Sequence, residues 1–320
     1  MLTQAKYEVI RSATERDGNL LSINRMCRIA GVSKSGYYGW LASAPLRESR
    51  EADDQSDFDR IAEAYKFRGY AKGARSIHMR LLHTGTLMNV KKIRRLMKKY
   101  GLKCPIRKAN PYRRMAKAMR TNTVFGNIVD RQFSGSGPRK VLLTDITYLF
   151  YNGGVCYLST ILDACTRETL GYQLSQTLAV EFVIQTVDSF CKAHGAELDD
   201  NVIVHSDQGC HYTSRAFIKK LQSEEFVQSM SRKGNCWDNA PQESFFGHMK
   251  DEIRDYIKAA GSFSAVKAVV DDWIDYYNND RYQWELAKLS PCEYYRYRTT
   301  GIYPLQIPTL TRGSAPDPGV

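Results

Sequence analysis

Asp145, Asp207 and Glu243 stand in three separate segments, each with a local sequence suited to holding a carboxylate for phosphoryl transfer. Brought to one point, three carboxylates repel one another unless cations neutralise them. Hard oxygen ligands suit Mg²⁺ or Mn²⁺. Two such ions about 3.5 to 4 Å apart activate an attacking oxygen and stabilise the leaving oxygen at a phosphodiester. With 34 acidic residues among 320, the 35 residues between Asp207 and Glu243 mean little alone, so the setting of each carboxylate has to decide.

The run Val141-Leu142-Leu143-Thr144-Asp145-Ile146-Thr147-Tyr148-Leu149-Phe150 is apolar on both faces and rich in β-branched and aromatic residues. It predicts a buried central strand, where a carboxylate is costly unless a partner or metal compensates it. Asp207 ends the short apolar strand Val202-Ile203-Val204-His205-Ser206 and precedes Gln208-Gly209. Open α/β sheets place ligand sites outside such carboxyl ends, with His205 and His211 as candidate outer partners of the site; the alternative is a turn-forming Asp. Glu243 follows Pro241 in the first turn of a predicted helix. Phe246, Gly247 and Lys250 then fall near its face, leaving Lys250 either to hold a DNA phosphate or to be solvated. Asp238 and Asn239 are supporting residues, predicted to cap this helix rather than touch substrate, and Trp237 to pack or to stack on a base.

The elements needed to position these residues follow in order. After the Asp145 strand come a turn at 151–154, strands over 155–162 and 169–175, and a helix over 179–193. The Asp207 strand, a helix over 214–222, a strand over 227–231 and the Glu243 helix complete the set. The predicted class is α/β, with a mixed five-stranded sheet flanked by helices and preceded by helical helix-turn-helix modules.

Net charge is +12, yet residues 58–120 hold 19 Lys or Arg against Asp59 and Glu63, a balance of +17 that leaves −5 elsewhere. Basicity confined to one segment marks a polyanion-binding module. There, Asn89 can cap a helix to Tyr100, with Val90, Ile93 and Met97 as an apolar stripe and Lys91, Lys92, Arg95, Lys98 and Lys99 on other faces. With a helix over 75–82 and the loop at Gly85 it forms a helix-turn-helix-like unit; the alternative is a solvated basic face. Earlier, Ala30-Gly31-Val32-Ser33 reads as a tight turn between two short helices, with Ser33 capping the second. Lys34, Ser35 and Tyr37 become DNA-contact candidates, although a packing or dimerisation unit would show the same turn.

The segments Thr144-Asp145-Ile146-Thr147-Tyr148, His205-Ser206-Asp207-Gln208-Gly209 with Tyr212-Thr213-Ser214, Lys233-Gly234-Asn235, Asp238-Asn239-Ala240 and Glu243-Ser244-Phe245-Phe246 with Lys250 resemble a known family. So do Tyr277-Asn278-Asn279, Arg281 and Leu289-Ser290-Pro291. The chain resembles the OrfB-type transposases of bacterial insertion sequences, whose core is similar to retroviral integrases. One departure is Leu142, where the family often has a tryptophan. The resemblance implies a ribonuclease H-like core with Asp145, Asp207 and Glu243 as catalytic and metal-holding residues for two ions. It implies cleavage at the element's terminal inverted repeats, transfer of the freed 3′-OH, a circular intermediate and insertion into target double-stranded DNA. A small upstream helix-turn-helix partner chain is also implied. Joining two ends requires two recognition surfaces, hence a homo-oligomer, dimer or larger. A repressor would leave the three carboxylates unexplained, and a nuclease or junction resolvase would share the core without joining strands.

Predicted domains are 1–50 (helix-turn-helix), 55–118 (basic module), 119–298 (core with C-terminal helices) and 299–320 (irregular tail), with 45–57 as a linker or the start of an exposed helix. Eight cysteines form no C-x-x-C pair, which argues against a zinc ribbon and a disulfide framework. Without a leader pattern or a membrane-length apolar run, the expected location is the bacterial cytoplasm, in association with the nucleoid.

Overall fold

In the computed structural model, residues 3–105, 137–195, 198, 201–231 and 239–305 are described, and two compact units divide between Ala62 and Glu63. The first unit contains α1 (Thr3–Thr14), α2 (Ile23–Ala30), α3 (Lys34–Ala42) and most of α4 (Ala44–Lys66). Gly31 ends α2 at φ 65, a left-handed turn that an L side chain resists. Ser33 then caps α3 by accepting from Gly36 N at 3.0 Å, as its sequence predicts. Ile10, Met26, Cys27 and Tyr37 form this unit's core. Of the two expectations for residues 45–57, the helix is realised: α4 runs through them unbroken.

The second unit opens with α5 (Ala74–His83) and α6 (Val90–Lys99). Asn89 caps α6 by accepting from Lys91 N at 2.8 Å. Ile93, Leu96 and Met97 are its buried residues, and Lys91, Arg94, Arg95, Lys98 and Lys99 are exposed.

The sheet follows, with β1 (Val141–Tyr151), β2 (Gly154–Asp163) and β3 (Thr169–Ser175). Short turns join these three, so they pair antiparallel. The helix α7 (Val180–His194) crosses to β4 (Ile203–Ser206), which is parallel to β1, and α8 (Arg215–Ser223) leads to β5 (Val227–Met230), parallel to β4. Strand order is β3-β2-β1-β4-β5, so β1 is central as predicted. One face packs Leu143, Leu149, Leu158 and Leu162 against α9 (Ala240–Ala259) and α10 (Phe263–Asn279). The other packs Leu142, Ile161 and Val204 against α7 and α8. The expectation that β1 is apolar and buried on both faces holds only to Thr144: Leu149 still meets the α9 and α10 layer, but Tyr148 and Phe150 alternate to the opposite face and are exposed. The final helix, α11 (Pro291–Thr300), begins with a reciprocal capping box between Ser290 and Glu293.

Candidate active site

The β1–β4 ladder ends at the pair Leu143 and His205. Asp145 and Asp207 each lie two residues beyond that pair, so parallel pairing carries both past the same end of the β1–β4 ladder. Asp207 is exposed just past β4, and its Oδ1 accepts from Gly209 N at 2.8 Å. A Cβ at Gly209 would come within 2.9 Å of that oxygen, so a larger residue there would push the Asp207 carboxylate aside. Glu243 is exposed in the first turn of α9, which has Pro at its start.

Asp145 is half-buried, and its Oδ1 accepts from Ile146 N at 2.7 Å. Burial pushes its carboxyl up to about 7, and Asp207 and Glu243 push the same way, against the Ile146 hydrogen bond and Lys250. Asp207 and Glu243 are thus both within electrostatic reach of Asp145. Among the described residues, no group of three or more His, Cys, Asp or Glu is gathered as a set that could hold a metal ion. Lys250, two turns along α9, is half-buried; burial lowers its ammonium pKa while Asp145 opposes that shift.

Several predicted roles need correction. Tyr37 cannot contact DNA as expected, because it is 2% exposed and packed between Tyr7 and Trp40. Lys34 and Ser35 remain exposed beside Tyr38, the neighbouring aromatic that does reach solvent. Phe246 does not share the face of Glu243: it turns into the core beside Phe245, since the apolar phase of α9 includes it. Asn239 occupies the cap position of α9, yet its side chain makes no capping bond, the backbone there having φ −132 and ψ 30. Asp238 and Trp237 lie outside the described residues. His205 is fully buried, with Nδ1 and Nε2 each 2.9 Å from the hydroxyls of Ser229 and Ser231 on the β5 side. His211 pairs through Nε2 with Leu178 O at 3.1 Å.

Two neighbours of the site went unassigned in the sequence. Tyr212 is buried, with its hydroxyl 3.5 Å from Thr144 Oγ1 beside Asp145. Burial and then Asp145 hold its phenol well above the usual range, so it stays neutral. Gln242 is fully buried and donates to Thr160 Oγ1. It falls in phase with the buried stripe Phe245, Met249, Ile253 and Ile257, and that signal was readable from helical period.

Residues 51–110 match the family described as an HTH-like domain, and residues 135–236 and 225–291 match two described as integrase core domains. The putative transposase InsK for insertion sequence element IS150 of Escherichia coli (strain K12) is 32% identical over 272 residues, covering 85% of this chain and 93% of that one. The chain belongs to the insertion-sequence transposases. Transposase InsF for insertion sequence IS3A of the same organism is 30% identical over 232 residues, 72% of this transposase and 79% of InsF. Among solved structures, the catalytic core domain of BIV integrase in crystal form I is similar with TM-score 0.40 and 14% identity, over 51% of this transposase and 97% of that chain. By its family matches the transposase has an integrase core, with an HTH-like domain before it in the sequence. Among its described residues no helix is long and apolar enough to cross a membrane.

Proposed function

We propose that this transposase cuts one DNA strand at each end of its insertion element and transfers the freed 3′-OH to another phosphodiester, with Asp145, Asp207 and Glu243 as the catalytic residues. The observation that carries this reading is the parallel β1–β4 pairing, which brings Asp145 and Asp207 side by side two residues past its last pair. Burial, together with Asp207 and Glu243, also pushes the half-buried Asp145 carboxyl up to about 7. A strand carboxylate made so reluctant to ionise is suited to a cation rather than to a structural role. The donor set, oxygen only and potentially trianionic, fits Mg²⁺ or Mn²⁺. When bound, two such ions supply activation of the attacking oxygen and stabilisation of the departing 3′ oxygen.

The chain's own groups do the rest. Asp145, from within β1, and Asp207, just past the end of β4, would hold the cations jointly, and Glu243 would complete the set from α9. Lys250 takes a substrate phosphate near Asp145, a use consistent with its half-buried position. Neutral Tyr212 meets Thr144, the residue before Asp145 on β1, without adding charge.

Double-stranded DNA, as terminal inverted repeats and as target, is the proposed partner. Exposed Lys91, Lys98 and Lys99, with Arg95 and Lys92 on the same helix, give α6 a cationic surface for phosphates. Lys34 and Ser35 on α3 offer a second contact. Two ends must meet for joining, so the working state is a dimer or larger, with or without a small upstream helix-turn-helix chain. The deciding assay uses labelled DNA carrying the element ends, wild type against Glu243→Gln, with Mg²⁺ and with EDTA. Joined products are expected only from wild type with metal; cleavage that never proceeds to joining would replace this reading with a nuclease.

A further inference from the structure

Gln242 sits one residue before Glu243, in the buried phase of α9, and is 0% exposed. Its Nε2 donates to Thr160 Oγ1, and Thr160, also fully buried, is the cross-strand partner of Asp145 in the β1–β2 ladder. Directly paired side chains on one face of such a ladder are about 5 Å apart. One hydrogen bond therefore joins the helix turn that carries Glu243 to the strand position facing Asp145. Among the described residues, neither Gln242 Oε1 nor Asn239 Oδ1, one turn earlier, has a hydrogen-bond partner. A buried amide with one group unsatisfied is a worse core residue than the apolar side chains elsewhere in this stripe. Packing alone does not explain a glutamine here.

We infer that Gln242 is a positioning residue: through Thr160 it sets the reach from Glu243 to Asp145, and with it the spacing of the carboxylates that hold the cations. This rests on the metal-holding reading above. The amide does not touch substrate, and its effect passes through the start of α9. Losing the bond would let that turn drift from β2, so Glu243 would meet a cation less well while the DNA-binding surfaces stayed as they are.

The test is Mn²⁺ affinity, read by electron paramagnetic resonance of free Mn²⁺, for the full chain and for Gln242→Met, Thr160→Val, the double variant and Glu243→Gln. Gln242→Met keeps the length of the side chain without the amide, and Thr160→Val removes one hydroxyl at nearly constant shape. Each single variant is expected to weaken Mn²⁺ binding about tenfold, the lower end of effects seen for groups that orient metal ligands. The double variant is expected to lose no more than either single one, because both break the same bond. In strand transfer the same variants should lower kcat at limiting Mg²⁺ and leave KM for DNA unchanged. Wild-type Mn²⁺ affinity in either single variant, or losses that multiply in the double variant, would overturn the inference. If Glu243→Gln binds Mn²⁺ as wild type does, the metal-holding reading itself fails, and the inference falls with it.

Discussion

Arg68 Nε donates to Asp280 Oδ2 at 3.0 Å, joining residues 212 positions apart. The same guanidinium meets Asp272 at 3.4 Å and also Asp275, so one cation is shared by three carboxylates at the end of α10. Beside it the Tyr70 ring lies 4.5 Å from that of Tyr276, and its hydroxyl donates to Asp272. His83 stacks on Tyr282 at 3.5 Å and lies 3.2 Å from Glu293. The basic segment from Glu63 to Pro105 is therefore seated on the last helices of the integrase core within one compact unit.

Arg68→Ala leaves three partly exposed carboxylates facing one another. Their exposure screens the repulsion, so the expected loss is about 1 kcal/mol, or a few degrees in melting temperature. Calorimetry in low salt and again near 1 M salt should show the difference shrink as the charges are screened. A loss that does not respond to salt would assign Arg68 a packing role instead.

Asp145 ionises with difficulty in the folded chain, at about 7 against 3.8 ordinarily. Between those values the native state binds the extra proton, so stability falls as pH rises through the window. Asp145→Asn should abolish that fall, melting a few degrees above metal-free wild type at pH 7.5 and close to it near pH 4. Mg²⁺ should raise the wild-type melting point at pH 7.5 and leave the variant unmoved. Parallel pH profiles for the two proteins would contradict this account.

Tyr37 and Tyr38 are adjacent yet have opposite fates, 2% and 45% exposed. Tyr37→Ala should cost about 3 to 5 kcal/mol, the range for an aromatic removed from a core, and disorder the first unit as seen by loss of amide exchange protection. Tyr38→Ala should keep protection intact and weaken DNA binding if α3 contacts the duplex.

Lys91 and Lys98 are exposed on α6. If each neutralises a phosphate, Lys91→Gln and Lys98→Gln should each reduce the slope of log affinity against log salt by about 0.9. The loss should be similar for element ends and unrelated duplex, since phosphate contacts carry no sequence information. Fluorescence anisotropy over a salt series checks both points, and an unchanged slope would place the DNA elsewhere.

Most of the local structure was legible in the sequence because the signals are local. Apolar and β-prone runs marked β1, β2 and β3, and helical stretches marked α7 and α8, within a residue or two; Ser33 and Asn89 announced their helices by the acceptors they carry, and charge segregation marked the basic module. The motif residues identified the family and nominated Asp145, Asp207 and Glu243. Tertiary structure decided what depends on distant partners. It turned Tyr37 and Phe246 inward, because burial follows the packed face rather than proximity to a motif. It gave His205 to Ser229 and Ser231 through the β4–β5 pairing, and left Asn239 without a capping bond. It also set Gln242 against Thr160 opposite Asp145 and seated Arg68 among Asp272, Asp275 and Asp280. A chain encodes residue type and period along one dimension; which side chains meet is fixed only when strands choose their register and helices choose the face they cover.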